Sequence, residues 1–312
     1  MSMTLLFLFT ISVQENIWTN YYVGTIGDSN KIQMSLSGNL DSDDVLRGSY
    51  FYEKHGIPLD LRPKGNDLVE YHKGDPTGRF PLIFEKSESE FQGTWQSADK
   101  KRQLPFHLKR ISGSLIIRMD SDFGSCQSEV PDFFGAGSAL KAWAVQRQAH
   151  EIKKQVQSLT ESELQQLEGP IKSGFTISYT IHYYSEALVS LNIEHSHYSG
   201  PLYAEGRSAL ILVVSDGTVK ELQLGDLLLP GAEAKLLSRL SGALEESLAA
   251  RDGDEPMTTE DFGDIPFLIT PLHIRFIFDR DPDNDAIFPY RDLVGLLDPQ
   301  STVGRFLPKT DK

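Results

Sequence analysis

Two histidines set two apart, His195 and His197, come nearest in this sequence to a reactive spacing. They lie in the run Glu194-His195-Ser196-His197, which reads as a strand, so both imidazoles belong to one face. Such a pair can hold a metal ion, but even an open zinc site takes three protein ligands. Glu205 and His182 are the candidates for the third place, and the strand register puts His182 on the opposite face. The set is therefore incomplete, and structural histidines are the favoured reading. Asp279, Asp281, Asp283 and Asp285 alternate in a second cluster that resembles a calcium loop. It departs from the EF-hand pattern, with Asn284 at the turn glycine and Tyr290 at the bidentate glutamate, and reads as a solvated acidic loop. Cys126 is the one cysteine, which excludes an intrachain disulfide, and no base neighbours it in sequence. Glu245 and Glu246 are adjacent on a helix and diverge. There is no nucleophile elbow, no glycine-rich phosphate loop and no pair of zinc-spaced cysteines. Without a complete catalytic constellation, binding is favoured over catalysis and no cofactor is expected.

The elements that position these residues begin with a hairpin. Ile177, Tyr179, Ile181 and Tyr183 alternate with polar residues, as do Val189, Leu191 and Ile193. A three-residue loop, Ser185-Glu186-Ala187, keeps the two apolar sets on one face by pairing Tyr183 with Val189 and Ile181 with Leu191. The apolar run Ala209 to Val214 makes a third strand, ending in the turn Ser215-Asp216-Gly217-Thr218. Helical spacing follows from Glu233 to Ala250, then strands at Phe267–Thr270 and His273–Phe278.

Upstream, residues 18–110 alternate strands and turns. Eight strands are predicted: Tyr21–Ile26, Ile32–Ser37, Leu46–Glu53, Pro58–Arg62, Leu68–His72, Gly78–Phe84, Phe91–Gln96 and Leu104–Lys109. Three carry a glycine two residues before an aromatic: Gly48 and Tyr50, Gly78 and Phe80, Gly93 and Trp95. That arrangement favours a curled sheet over a flat one, and so an antiparallel meander closing into a small barrel filled by side chains. After an Asp-Ser-Gly-rich stretch, Asp120 to Ser128, a helix begins near Gly135. Leu140, Val145, Ala149, Ile152, Val156 and Leu159 form its expected sheet-covering stripe, and Thr160 to Glu163 make a capping box for a second short helix.

The hairpin, the glycine-containing loop after it, "DGTVKELQLGDLLLP", "IPFLITPLHIRFIFD" and "FPYRDLVGLL" together resemble the RsiV-like domain family over roughly Phe175 to Asp298. That domain forms the extracytoplasmic part of lysozyme-sensing anti-sigma factors and accompanies some cell-wall polysaccharide deacetylases. Where the family carries Gly-Gly-Ala-His, this chain has Tyr198-Ser199-Gly200-Pro201-Leu202-Tyr203. The resemblance implies paired late strands, a closing helix, and a ligand that is lysozyme or a peptidoglycan-type polysaccharide. The expected contact surface is the loop Tyr198 to Arg207, with Tyr203 as anchor and Glu205 pairing an arginine of the partner.

Composition agrees with a folded binding protein. Of 312 residues, 39% are hydrophobic and 24% charged, enough for two cores and against disorder. A net charge of −14 disfavours nucleic acid and suits a basic partner. The apolar run Leu5 to Val13 has the length of a signal-peptide core, is too short to span a bilayer, and lacks a positive n-region; a first strand is its other reading. The sequence thus predicts a signal-peptide remnant over 1–17, an all-β barrel-like domain over 18–112 and an α+β domain over 113–312. The expected function is non-enzymatic binding in the cell envelope, periplasmic or secreted, with cytoplasmic location as the alternative. The competing function is a metal-dependent hydrolase at His195 and His197, or an accessory domain of wall-modifying enzymes.

Overall fold

A computed structural model describes residues 10–12, 17–39, 45–81, 89–121, 124–165, 173–199, 202–248, 265–278 and 285–308. All eight predicted N-terminal strands are present: β2 (Ile17–Ile26), β3 (Asn30–Asn39), β4 (Val45–Tyr52), β5 (Leu59–Lys64), β6 (Asp67–His72), β7 (Asp75–Pro81), β8 (Glu90–Ser97) and β9 (Gln103–Ser121). Each pairs antiparallel with the next, and β9 also pairs with β2, which closes an eight-stranded barrel. Its interior is packed with side chains, among them Tyr22, Met34, Leu36, Phe80, Phe91, Phe106 and Leu108. The glycines allow ring contacts that a Cβ would forbid. At Gly78 an added Cβ would lie 2.5 Å from the Trp95 indole, and at Gly93 it would lie 2.9 Å from the Phe106 ring. Glu70 is buried among the aromatics and accepts hydrogen bonds from Tyr50 Oη, Trp95 Nε1 (3.0 Å) and Thr77 Oγ1 (2.5 Å), so a polar group inside the barrel is satisfied.

β9 does not end with the barrel. Beyond Ser112 it pairs with β10 (Gly124–Asp132) and with β1 (Thr10–Ser12). The stretch Asp120 to Ser128 therefore lies mainly in paired strands. From β10 the chain crosses through α1 (Ser138–Gln165) to β11 (Ser173–Ser185), which lies parallel to β10, as a helical crossover allows. β12 (Leu188–Ser199), β13 (Leu202–Ser215) and β14 (Thr218–Leu222) follow antiparallel, giving one continuous 14-stranded sheet. The last hairpin turns on Asp216 and Gly217 at φ of 49° and 72°, the left-handed conformations that a two-residue turn requires. One face of β11–β13 packs on α1 around Tyr179, Ile181, Leu191 and Leu212. The other packs on a second sheet, β15 (Phe267–Ile269), β16 (His273–Phe276) and β17 (Ala286–Pro289), together with α2 (Glu233–Leu248). The whole is a mixed architecture: an all-β antiparallel barrel and an α+β part.

Several local expectations are corrected. The β11–β12 loop has two residues, Glu186 and Ala187, with Ser185 opposite Leu188 and Tyr184 opposite Val189. Ile181 does face Leu191, because a bulge at His182 absorbs the extra residue. Tyr183 thereby turns to the β15–β17 side and Tyr184 to the α1 side. Helix α1 runs unbroken through Thr160, whose hydroxyl bonds back to Val156 O (2.8 Å) instead of capping a new helix. Its buried stripe is Leu140, Ala144, Glu151, Gln155 and Leu159, while Val145 is 64% exposed and Ile152 and Val156 also face outward. Each polar member has one side-chain atom paired. Glu151 accepts from Tyr179 Oη (2.8 Å), and Gln155 Nε2 donates to Ser128 Oγ (2.7 Å) and Ile117 O (3.2 Å). The expected closing helix at Tyr290 is a single 3-10 turn, Tyr290–Leu293. Thr10–Ser12 forms a strand, and residues 1–9 lie outside the described residues.

Candidate functional site

The segment Tyr198 to Arg207, expected as a loop, is largely strand: β12 reaches Ser199 between β11 and β13, and β13 starts at Leu202 and forms the edge of the sheet beyond β14, with alternation sending its residues to opposite faces. Tyr198 opposes Tyr203, Ser196 opposes Glu205, and Glu194 opposes Arg207, so the four expected contact residues, Tyr198, Tyr203, Glu205 and Arg207, share one face. Their environments differ. Tyr203 is 63% exposed beside the exposed Leu202 and donates to Glu205 Oε1 at 2.5 Å. Tyr198 is half-buried over Gly174, its hydroxyl accepting from Ser125 N at 3.2 Å. The positions 200–201 between the strands lie outside the described residues.

Arg207 is held inward. Its two terminal nitrogens reach Asp285 Oδ1 and Oδ2, each at 3.1 Å, in a bidentate pair with side chains 6% and 0% exposed. Arg275 Nη1 lies 3.7 Å from the same carboxylate. His182 and His273 join this cluster with buried Nε2 atoms that have no hydrogen-bond partner among the described residues. Burial, and then the positive charge of Arg275, push His182 down to about 3 and His273 to about 4. Asp285 thus belongs to a buried ion network. The rest of the expected calcium loop, 279–284, lies outside the described residues. The network joins β11, β13, β16 and the start of β17 across long sequence separations. The alternation of Arg275 with the apolar residues of β16 was its only local signal, and sequence reading missed it.

His195 and His197 sit together on the opposite, α1-side face of β12, both exposed. His195 covers Gly206 across the strand pair, where an added Cβ would lie 2.4 Å from its Nε2. Among the described residues no three His, Cys, Asp or Glu side chains gather as a metal cluster. His182 lies on the other face, and Glu205 is on the Tyr203 side. The histidines instead line a cleft of about 650 Å³ with Arg147, Lys154, Phe175 and Tyr179. A second depression, about 500 Å³, crosses the other face of the continuous sheet and is lined by hydroxyls of Thr19, Ser35, Ser49 and Thr180 with Glu129 and Glu194. Cys126 is buried, and burial raises its thiol pKa, which suppresses the reactive thiolate.

No protein-family model matches the chain, and no curated protein does. Among solved structures, a DUF3298 family protein from Pseudomonas aeruginosa PAO1 is similar at 16% identity and a TM-score of 0.41, over 63% of this chain and 96% of its own. A DUF3298 member from Bacteroides fragilis NCTC 9343 is similar at 13% identity and a TM-score of 0.39, over 62% of this chain and 95% of its own. The structural neighbours are DUF3298 family proteins, a family related to the RsiV-like domains.

Proposed function

We propose that this chain is a non-enzymatic binding protein of the cell envelope, periplasmic or secreted, that captures a basic protein of lysozyme type on the β12–β13 hairpin at the edge of the sheet. The observation that carries the reading is the pair Tyr203 and Glu205, an exposed ring bonded to an exposed carboxylate beside Leu202. An aromatic anchor flanked by an acid is the chemistry that meets an arginine-rich surface. The net charge of −14 adds long-range attraction to such a partner. Arg207 supports the strand through Asp285 and leaves direct contact to its neighbours. The RsiV-like sequence motifs supply the lysozyme precedent, and a cell-wall polysaccharide is the second ligand class they imply.

Calorimetric titration of lysozyme into the full chain tests this. Saturable binding is expected, weakening with salt as the Debye length falls from about 10 Å at 0.1 M to about 3 Å at 1 M. Tyr203→Ala should cost at least about 2 kcal/mol of binding, the scale of an interface hot spot. Absence of saturable heat at either salt, with the fold verified by circular dichroism, would remove the reading.

A further inference from the structure

We propose that the cleft between α1 and the β11–β12 strands binds an acidic glycan, a hydroxyl-rich chain bearing carboxylate or phosphate groups. The inference rests on reading the chain as a binding module, and it gives the polysaccharide ligand a place. At about 650 Å³ the cleft lies within the roughly 300–1,000 Å³ of small-ligand sites. Among the described residues its lining holds the exposed Lys154 and Arg147, the latter paired with Glu151, together with His195 and His197, and no aspartate or glutamate, in a protein of net charge −14. An exposed ammonium at a concave site without lining carboxylates favours entry of an anion.

The roles divide by geometry. Arg147 is engaged with Glu151 (3.2 Å) and with the Tyr179 hydroxyl, so it builds the floor. Lys154 is exposed, and its Nζ stands 5.2 Å from the centroid of the Phe175 ring. It supplies a cation beside an aromatic surface, at the end of the cleft that His197 shares through its pairing with Phe175. Ser158 and Ser208 add hydroxyls to the lining. Hydroxyls for those of a sugar and an ammonium seated over an aromatic ring for its acid group form one recognition set. A purely apolar ligand would leave Lys154 unused. A nucleic acid would need a track of cations, which this acidic surface lacks.

The test titrates the full chain with a galacturonate oligomer, a glycerol-phosphate oligomer and a neutral dextran oligomer. At low salt, saturable binding is expected with at least one acidic probe, and the arm that saturates identifies the acid group. Lys154→Glu should weaken it about tenfold or more, the loss of one charge-assisted contact, while Lys154→Arg retains it. The exposed position of Lys154 makes both variants compatible with folding. Tyr203→Ala should leave the glycan isotherm unchanged and Lys154→Glu should leave lysozyme binding intact, so either reading can fail alone. Three results overturn the proposal: no saturable heat with both acidic probes, dextran binding as tight as theirs, or an isotherm indifferent to Lys154→Glu.

Discussion

His182 occupies the bulge of β11 with its Nε2 buried beside Arg275, Arg207 and His273. A protonated imidazole there would join two guanidiniums that share the carboxylate of Asp285. Burial and Arg275 hold His182 near 3 and His273 near 4, both below the ordinary 6.5. The unfolded chain therefore takes up protons first as pH falls. Stability from these residues is complete above pH 6.5 and declines as pH drops through the window down to about 4 and 3. Urea midpoints should accordingly fall between about pH 7 and pH 5, ahead of most carboxylate titration. His182→Asn should flatten part of that fall; an unchanged slope would show that the imidazole is not titrating against folding.

At the scale of the element, Leu191 measures the hairpin. It is fully buried on the α1 side, opposite Ile181, whereas Ser190 on the other side donates no packing but accepts from Ile269 N at 3.0 Å. Leu191→Ala should cost about 2–5 kcal/mol through lost burial and a cavity, read as a lower denaturation midpoint. A midpoint equal to wild type would contradict the register. What was legible here follows from period: alternation along β11 and β12 marks the buried set because side chains repeat every two residues. The bulge at His182 was not legible, since nothing in Ile181-His182-Tyr183 marks an added residue. In α1 the apolar residues Val145, Ile152 and Val156 imitated a core stripe, while Glu151 and Gln155 went inside through partners on other elements. The start of β13 at Leu202, which puts Tyr198, Tyr203, Glu205 and Arg207 on one face, was not legible, because Tyr198 to Arg207 carries no apolar alternation and reads as a loop. The pairing of Arg207 with Asp285, 78 positions away, leaves no mark in either local sequence.

For the whole molecule, β9 is the member that both parts share. The division at 112/113 falls within it, and we propose it as a boundary between two cores carried on one strand. Gln33 ties them again: its Oε1 accepts from Tyr184 N (2.8 Å) and its Nε2 donates to Tyr184 O (2.8 Å), joining the barrel to the end of β11. Both parts draw backbone hydrogen bonds from β9, so calorimetry should record one unfolding transition. Two well-separated transitions would show that the cores melt independently.

The continuity of β9 also bears on how such a protein can be inherited. A strand of 19 residues that serves as the wall of a barrel and then as an interior strand of an open sheet offers no clean place for recombination. A break inside it would leave β2 and β8 facing a gap on one product and would strip β10 of its neighbour on the other. Each product would expose unpaired strand edges, which favour association with other chains. The barrel and the α+β part are thereby joined through a strand that neither can give up intact, although each has a core of its own.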